Sequence, residues 1–241
     1  METVKDKRII VVGAGSGIGE GIALAAGEAG AEVILVGRTK EKLEKVIAGP
    51  LRDTKARFVV ADVTSEEDVE RLFEETGSFD HLVSTVADLA YQSVREFDIE
   101  AARRSVDSKL ISSLLLAKHG CNHAASGGLL TFVSGIAAYR PMPRGAMVAA
   151  VNGALASLAY ALALELAPLR VNVVSPGWVD TPIWDMVAGD KKHDVQAQMA
   201  GRLPVGRIGR PEDIAQAVLS VMTNGYMSGT VIHVDGGHRL V

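Results

Sequence analysis

The stretch RIIVVGAGSGIGE, from Arg8 to Glu20, carries the clearest chemistry in the chain. Gly13, Gly15, Gly17 and Gly19 alternate with Ala14, Ser16 and Ile18. Glycine has no Cβ, so the backbone can turn tightly and lie close against a pyrophosphate. The β-branched run Ile9 to Val12 before it reads as a buried strand. Ile18, Ile22 and Ala25 after it recur at helical spacing. The first turn of such a helix offers unpaired N–H groups and a positive dipole end to a phosphate. A purely structural glycine turn is the plain alternative; the strand–turn–helix context favours nucleotide binding. A second position bears on the same ligand. The next strand-like run, residues 31–36, ends in Gly37 and Arg38. A carboxylate there would hold the adenosine ribose hydroxyls of NAD. Glycine removes it, and Arg38 suits a 2′-phosphate, so NADP(H) is the expected cofactor. The alternative for Arg38 is an ordinary surface arginine.

Positioning these residues takes an alternation of strands and helices. Runs read as strands at residues 31–36, 57–60, 80–87, 128–133 and 169–174 are separated by helical patterns. That alternation implies parallel βαβ units. Right-handed crossovers then build a doubly wound sheet. The expected fold is α/β, a Rossmann-like three-layer αβα sandwich, with residues 1–241 forming one domain. The 241 residues, 48% hydrophobic, suffice for one core, with no linker or repeat. A net charge of −4 argues against nucleic acid as a partner. The single cysteine, Cys121, can make no internal disulfide, which fits the reducing cytoplasm. The charged start of the chain does not read as a signal peptide. No window reads as a membrane span, so no membrane partner is expected. The six histidines show no metal-ligand spacing.

Gly13-x-x-x-Gly17-x-Gly19 resembles the T-G-x-x-x-G-x-G motif of the short-chain dehydrogenase/reductase family, with Val12 in place of the threonine. The likeness runs over nearly the whole chain. It implies that Gly13, Gly15, Ser16, Gly17, Ile18 and Gly19 form the cofactor turn. Asp62-Val63 resembles the family's adenine clamp, although Asp62 also suits a turn before the next helix. Pro176-Gly177 and Thr181 in SPGWVDTP match the stretch that meets the nicotinamide end. Residues 183–203 then correspond to a lid, with Trp178, Trp184, Met186 and Met199 near its base, suggesting an apolar pocket for a small-molecule substrate or effector. Phe97 to His123 reads as one long helix capped by Asp98, which in the family helps to build a homodimer or homotetramer.

The departures from the family lie where catalysis belongs. The stretch from Ser84 to Ala87 replaces Asn, Asn, Ala and Gly. Lys109 stands in the best register at the family's catalytic-site asparagine; a slip of one residue puts Ser108 there. Gly135 takes the place of the catalytic serine, leaving Ser134 beside it. Two rulers, one from Gly135 and one from the helix end ALELAP, put Val148 and Asn152 where the family has the Tyr and Lys of Y-x-x-x-K. That tyrosine supplies the proton that follows hydride to a carbonyl, and valine has none to give. Tyr139 is the nearest phenol in sequence. Lys109, Ser134, Tyr139 and Asn152 are therefore the candidate catalytic residues. Two functions follow from the resemblance: an NADP(H)-dependent oxidoreductase with a non-standard proton donor, or an inactive cofactor-binding sensor, regulator or partner subunit.

Overall fold

The computed structural model describes residues 3–182, 184 and 189–241. The strands are β1 (Arg8–Val12), β2 (Glu32–Gly37), β3 (Lys55–Val60), β4 (Phe79–Ser84), β5 (Ala124–Val133), β6 (Arg170–Pro176) and β7 (Val231–Val234). They form one sheet in the order β3-β2-β1-β4-β5-β6-β7, and every neighbouring pair is parallel. The chain winds outward from β1 to β3, then returns to pair β4 with the other side of β1. That reversal opens a crevice at the strands' carboxyl ends, where doubly wound sheets bind ligands.

The helices are α1 (Gly17–Glu28), α2 (Lys40–Ala48), α3 (Glu66–Thr76), α4 (Ile99–Val106), α5 (Ser112–Gly120), α6 (Ala146–Glu165), α7 (Lys192–Ala200) and α8 (Pro211–Thr223). Successive strand residues point to opposite faces. Ile9, Val11, Val33 and Leu35 therefore pack in one apolar layer with Ile22 of α1 and Ile214 of α8. Ile10, Val12, Ile34 and Val36 pack in the other with Leu72 of α3, Leu116 of α5 and Leu155 of α6. α1 and α8 cross closely: a Cβ at Gly21 would lie 2.6 Å from Pro211 Cβ. α6 is the one helix among the described residues long and apolar enough to cross a membrane. It buries Val148, Val151, Leu155 and Ala159 beside the sheet and turns Tyr160 and Leu164 outward.

The long helix expected over 97–123 runs unbroken from Ile99 to Gly120, but its middle turn is not α-helical. Asp98 caps α4 as expected, accepting from the Glu100 N–H at 3.0 Å. A π-helical turn, Asp107–Ile111, then separates α4 from α5. Four buried serines surround it, and three return hydroxyl protons to carbonyls four residues back: Ser105 to Ala101, Ser112 to Ser108 and Ser113 to Lys109. Such back-bonding bends helices, and single π turns mark functional sites often.

Two buried cation-forming groups lie at the sheet's other end. Arg170 donates to the carbonyls of Val221, Met222, Asn224 and Met227, closing the carboxyl end of α8. His81 is buried on β4, and burial, aided by the charge of Arg170, holds its pKa down at about 4. The unfolded chain binds that proton near pH ~6.5. His81 therefore contributes stability that is complete above ~6.5 and is lost as pH falls towards 4, worth on the order of 3 kcal/mol. Urea midpoints at pH 7 and pH 4.5 should differ less in His81→Leu than in the wild type. Equal losses in the two proteins would show that His81 does not titrate in this way.

Candidate functional site

The glycine turn between β1 and α1 is shaped by close contacts. Gly13 has φ +85° and Gly17 has φ +60°, conformations that side chains rarely adopt. A Cβ on Gly19 would lie 2.2 Å from the Gly13 carbonyl oxygen. The Thr85 hydroxyl, beyond β4, donates to the Val12 carbonyl at 3.0 Å and so ties the turn to the crevice. Thr181 packs against the turn from the far side, 3.3 Å from where a Gly17 Cβ would lie. Ser16, the N-cap of α1, has no capping hydrogen bond from its side chain. Its hydroxyl and the open helix end together fit a phosphate.

The adenosine end is assembled from two strand ends. Arg38 follows β2, Asp62 follows β3, and Arg38 Nη1 lies 3.9 Å from Asp62 Oδ2. Asp62 serves the turn before α3. Its Oδ1 accepts from Thr64 N at 3.0 Å and from the Thr64 hydroxyl at 2.7 Å, which makes the turn. Its other oxygen faces Arg38. Val63 beside it is buried. The guanidinium is exposed and only loosely paired, so a phosphate can compete for it.

At the other end Lys109 and Asn152 both meet Ser134. Lys109 is 4% exposed and Asn152 is 3% exposed. Lys109 Nζ donates to the Ser134 carbonyl at 3.3 Å. The Ser134 hydroxyl donates to the Asn152 carbonyl at 3.1 Å. Asn152 Nδ2 lies 3.0 Å from where a Cβ on Gly135 would be, and Asn152 Oδ1 is buried without a partner. Burial alone pushes the Lys109 ammonium down to about 8. Ser134 thus spends its hydroxyl proton on the α6 backbone. Among the described residues Tyr139 makes no hydrogen bond to this group: its ring meets His233 of β7 edge-on at 4.5 Å, and it is 40% exposed. Burial raises its phenol pKa, which makes it a poorer acid.

Pro176 ends β6, and Gly177 is required there, because a Cβ would lie 2.7 Å from Asp235 Cα. Trp178 follows, tilted against Trp184 at 4.9 Å and edge-on to His238 at 5.6 Å. In the segment expected to be a lid, α7 is tied back by Asp180, which meets Lys192 at 3.3 Å and Gln196 at 2.9 Å. Met199 is buried at its end, whereas Met186 lies outside the described residues. A cavity of about 140 Å³ lies under this base, lined by Trp178, Leu203, Ile214 and Val234.

The family model described as enoyl-(acyl carrier protein) reductase matches residues 13–239. Cis-4-hydroxycyclohexanecarboxylate dehydrogenase of Sinomonas cyclohexanicum is 34% identical, over 100% of this chain and 99% of that one. The chain belongs to the short-chain dehydrogenase/reductase family. Among solved structures, the MalC reductase/Diels-Alderase of Malbranchea aurantiaca is similar with a TM-score of 0.93 at 28% identity, covering 99% of this chain and 98% of the other. A small-chain dehydrogenase in complex with NADPH is similar with a TM-score of 0.85 at 30% identity, covering 98% and 100%. The sheet and helices are those of this dehydrogenase fold, and the family binds a nicotinamide cofactor.

Within that family frame, Val148 is 1% exposed on α6, one helical turn before Asn152. Several participants escaped sequence reading. Thr85 ties the glycine turn, and a run of serines was the available signal for the π turn. The loop after β4 is pinned to that turn: Ser108 accepts from Asp88 N and Ser105 from Ala90 N, both at 2.9 Å. Arg144, a non-glycine residue with φ +66°, reaches the Tyr91 carbonyl at 3.5 Å. Glu66, Glu70 and His119 also converge, despite their uninformative spacing. Lys118 pairs with the same Glu66 oxygen, and His119 turns a different ring nitrogen to each carboxylate. That arrangement is a surface ion-pair cluster.

Proposed function

We propose that this protein is an NADP(H)-dependent oxidoreductase acting on a small cyclic or apolar ketone, or the matching secondary alcohol, through a site centred on Lys109. One observation carries the choice of an enzyme: among the described residues, a buried ammonium with a single long hydrogen bond, to the Ser134 carbonyl, and a buried, unsatisfied Asn152 amide oxygen both lie at the Ser134–Gly135 step. Such groups are costly to bury without partners, and perturbed titratable groups concentrate at active sites. The likeness to a dehydrogenase named for a hydroxycyclohexanecarboxylate supports cyclic substrates.

The residues fit the cofactor. Gly13 to Gly19, Ser16 and Thr181 would hold its pyrophosphate, Arg38 and Asp62–Val63 its adenosine end, and Pro176-Gly177 its nicotinamide end. When bound, the nicotinamide supplies or accepts hydride. In this reading Lys109 and Asn152 would present an ammonium and an amide at that end, with the Trp178–Trp184 pair as an apolar wall. The exposed Tyr160 and Leu164 of α6 and Leu114 of α5 support a homodimer or homotetramer closed through these helices. The composition supports a cytoplasmic protein.

The test is NADPH oxidation against a panel of cyclic ketones, with 4-oxocyclohexanecarboxylate included. NADPH should be preferred over NADH by at least about tenfold, as loss of an Arg–phosphate contact costs on the order of 1–3 kcal/mol. Arg38→Ala should abolish the preference by raising the NADPH Kd. Equal use of both cofactors by the wild type would remove the NADP(H) assignment. Tight cofactor binding with no turnover on any member of the panel would favour the sensor or partner-subunit reading.

A further inference from the structure

We infer that Lys109 Nζ is the proton donor of this site and that Asn152 is the residue that positions it. The inference rests on the oxidoreductase reading above and assigns the atom that replaces the missing phenol.

The geometry carries it. An ammonium has three N–H donors. Among the described residues, Lys109 uses one of them, on the Ser134 carbonyl at 3.3 Å, and has no carboxylate partner. The remaining donors are left for an oxygen that the folded chain does not supply. Asn152 Oδ1 is equally unsatisfied, and Asn152 Nδ2 fills the space that a side chain at position 135 would take. The two residues therefore meet the same Ser134–Gly135 step, Lys109 at the Ser134 carbonyl and Asn152 at the Ser134 hydroxyl and Gly135. The ammonium is held there by design of the helix. The Lys109 carbonyl accepts from the Ser113 hydroxyl at 2.7 Å, and Ser108 and Ser112 fix the π turn on either side.

The other candidates have no proton to give or are engaged elsewhere. Val148 has no proton. The Ser134 hydroxyl is spent on the Asn152 carbonyl. Tyr139 packs on His233 of the edge strand.

The chemistry balances without another reactant. As hydride adds to the carbonyl carbon, the C=O π pair moves to oxygen. That oxygen takes one proton from Nζ, and the N–H bonding pair stays on nitrogen. The products are the alcohol and a neutral Lys109, which regains its proton from water. In the oxidative direction the neutral amine takes the hydroxyl proton. Asn152 Oδ1 is the acceptor that can hold the amine in line in either state. Burial brings the Lys109 pKa to about 8, and no charged group on the surrounding elements contributes to that shift. An acid of this strength is mostly protonated at neutrality yet able to give its proton up.

Two measurements on the full-length protein test the inference. The first needs no substrate. In protein labelled with ¹⁵N-lysine, one side-chain resonance should titrate near pH 8 and be missing from Lys109→Gln. A Lys109 resonance titrating near ~10.4, the ordinary lysine value, would overturn the assignment whatever the turnover. The second compares kcat with NADPH affinity. In the wild type, kcat for ketone reduction should fall about tenfold per pH unit above ~8, as expected for a single essential acid. Lys109→Gln and Lys109→Arg should each lose about 10²–10⁴-fold in kcat, because neither carries a proton that leaves near neutrality. Lys109→Arg should still bind NADPH within a few-fold of wild type. Asn152→Asp should move the pH limb upward, since a carboxylate favours the charged amine. Recovery of kcat by Lys109→Arg would reduce Lys109 to a fixed charge and sink the proposal. So would trapping of the ketone on Lys109 by borohydride, which would make the lysine a nucleophile. Failure of the wild type to turn over any ketone would defeat the oxidoreductase reading, and the lysine titration reads out separately.

Discussion

Gly19→Ala should cost at least about a hundredfold in NADPH affinity, the largest loss expected from any change at the glycine turn. The added Cβ would lie 2.2 Å from the Gly13 carbonyl oxygen and 2.8 Å from Thr85 Oγ1. The first of these neighbours is backbone, fixed by the Gly13 N–H donating to the Val36 carbonyl at 2.8 Å. Neither β1 nor β2 can retreat, because both lie within the sheet. Relief must come from α1, whose first turn would swing away from β1. That movement takes the N–H groups of the helix end off the phosphate position, and a misplaced donor is worth little. Overpacking in a rigid core also costs stability, on the order of 1–3 kcal/mol. Fluorescence titration with NADPH, alongside a thermal melt, separates the two effects. An unchanged Kd in a protein that melts as wild type would mean that the turn does not hold the pyrophosphate.

The same contacts explain why this part of the site could be read in the sequence. A glycine turn needs particular residues at particular steps, and steric demand leaves a direct trace in residue type. The same holds for Gly37 and Arg38: position at a strand end fixes what they can reach, and Arg38 does meet Asp62. Asn152, one turn after Val148 on α6, does face Gly135, because a helix packed on a sheet keeps its register. The π turn was not legible. Apolar residues recur at helical spacing straight through Asp107–Ile111, and the one-residue widening depends on serine hydroxyls turning back to carbonyls. That is a choice of rotamer, which no spacing records. Tyr139 illustrates a second limit. Its place in the chain brings it close to Gly135, but the short 3₁₀ turn Ile136–Ala138 carries it across to His233. Thr85 shows the converse. The family's signature side chains are absent after β4, yet one hydroxyl still performs the tie to the turn.

Exchanging the two polar residues should reveal whether they form one site. Asn152→Lys alone would bury a second ammonium beside that of Lys109, above the Ser134–Gly135 floor that both already touch. No carboxylate is bonded to either residue among the described residues to offset it. Leaving an uncompensated charge buried costs on the order of 3–5 kcal/mol, so this variant should be barely folded. Lys109→Asn alone removes the ammonium at this step. It should fold well, since a neutral amide is cheaper to bury, but it should lose turnover as Lys109→Gln does. The double variant Lys109→Asn/Asn152→Lys again holds one ammonium and one amide at this step, now on the helices where the family resemblance puts them. Its stability should return to within about 1 kcal/mol of wild type, which makes the coupling between the two changes at least about 2 kcal/mol, near the upper end for contacting residues. NADPH affinity should return with it. Turnover should not, because the ammonium then approaches from α6, and Val148 still offers no proton for it to assist. Urea midpoints for the four proteins measure the coupling directly. Additive losses in the double variant would place Lys109 and Asn152 in separate environments, and would remove the coupling on which the proton-donor assignment stands.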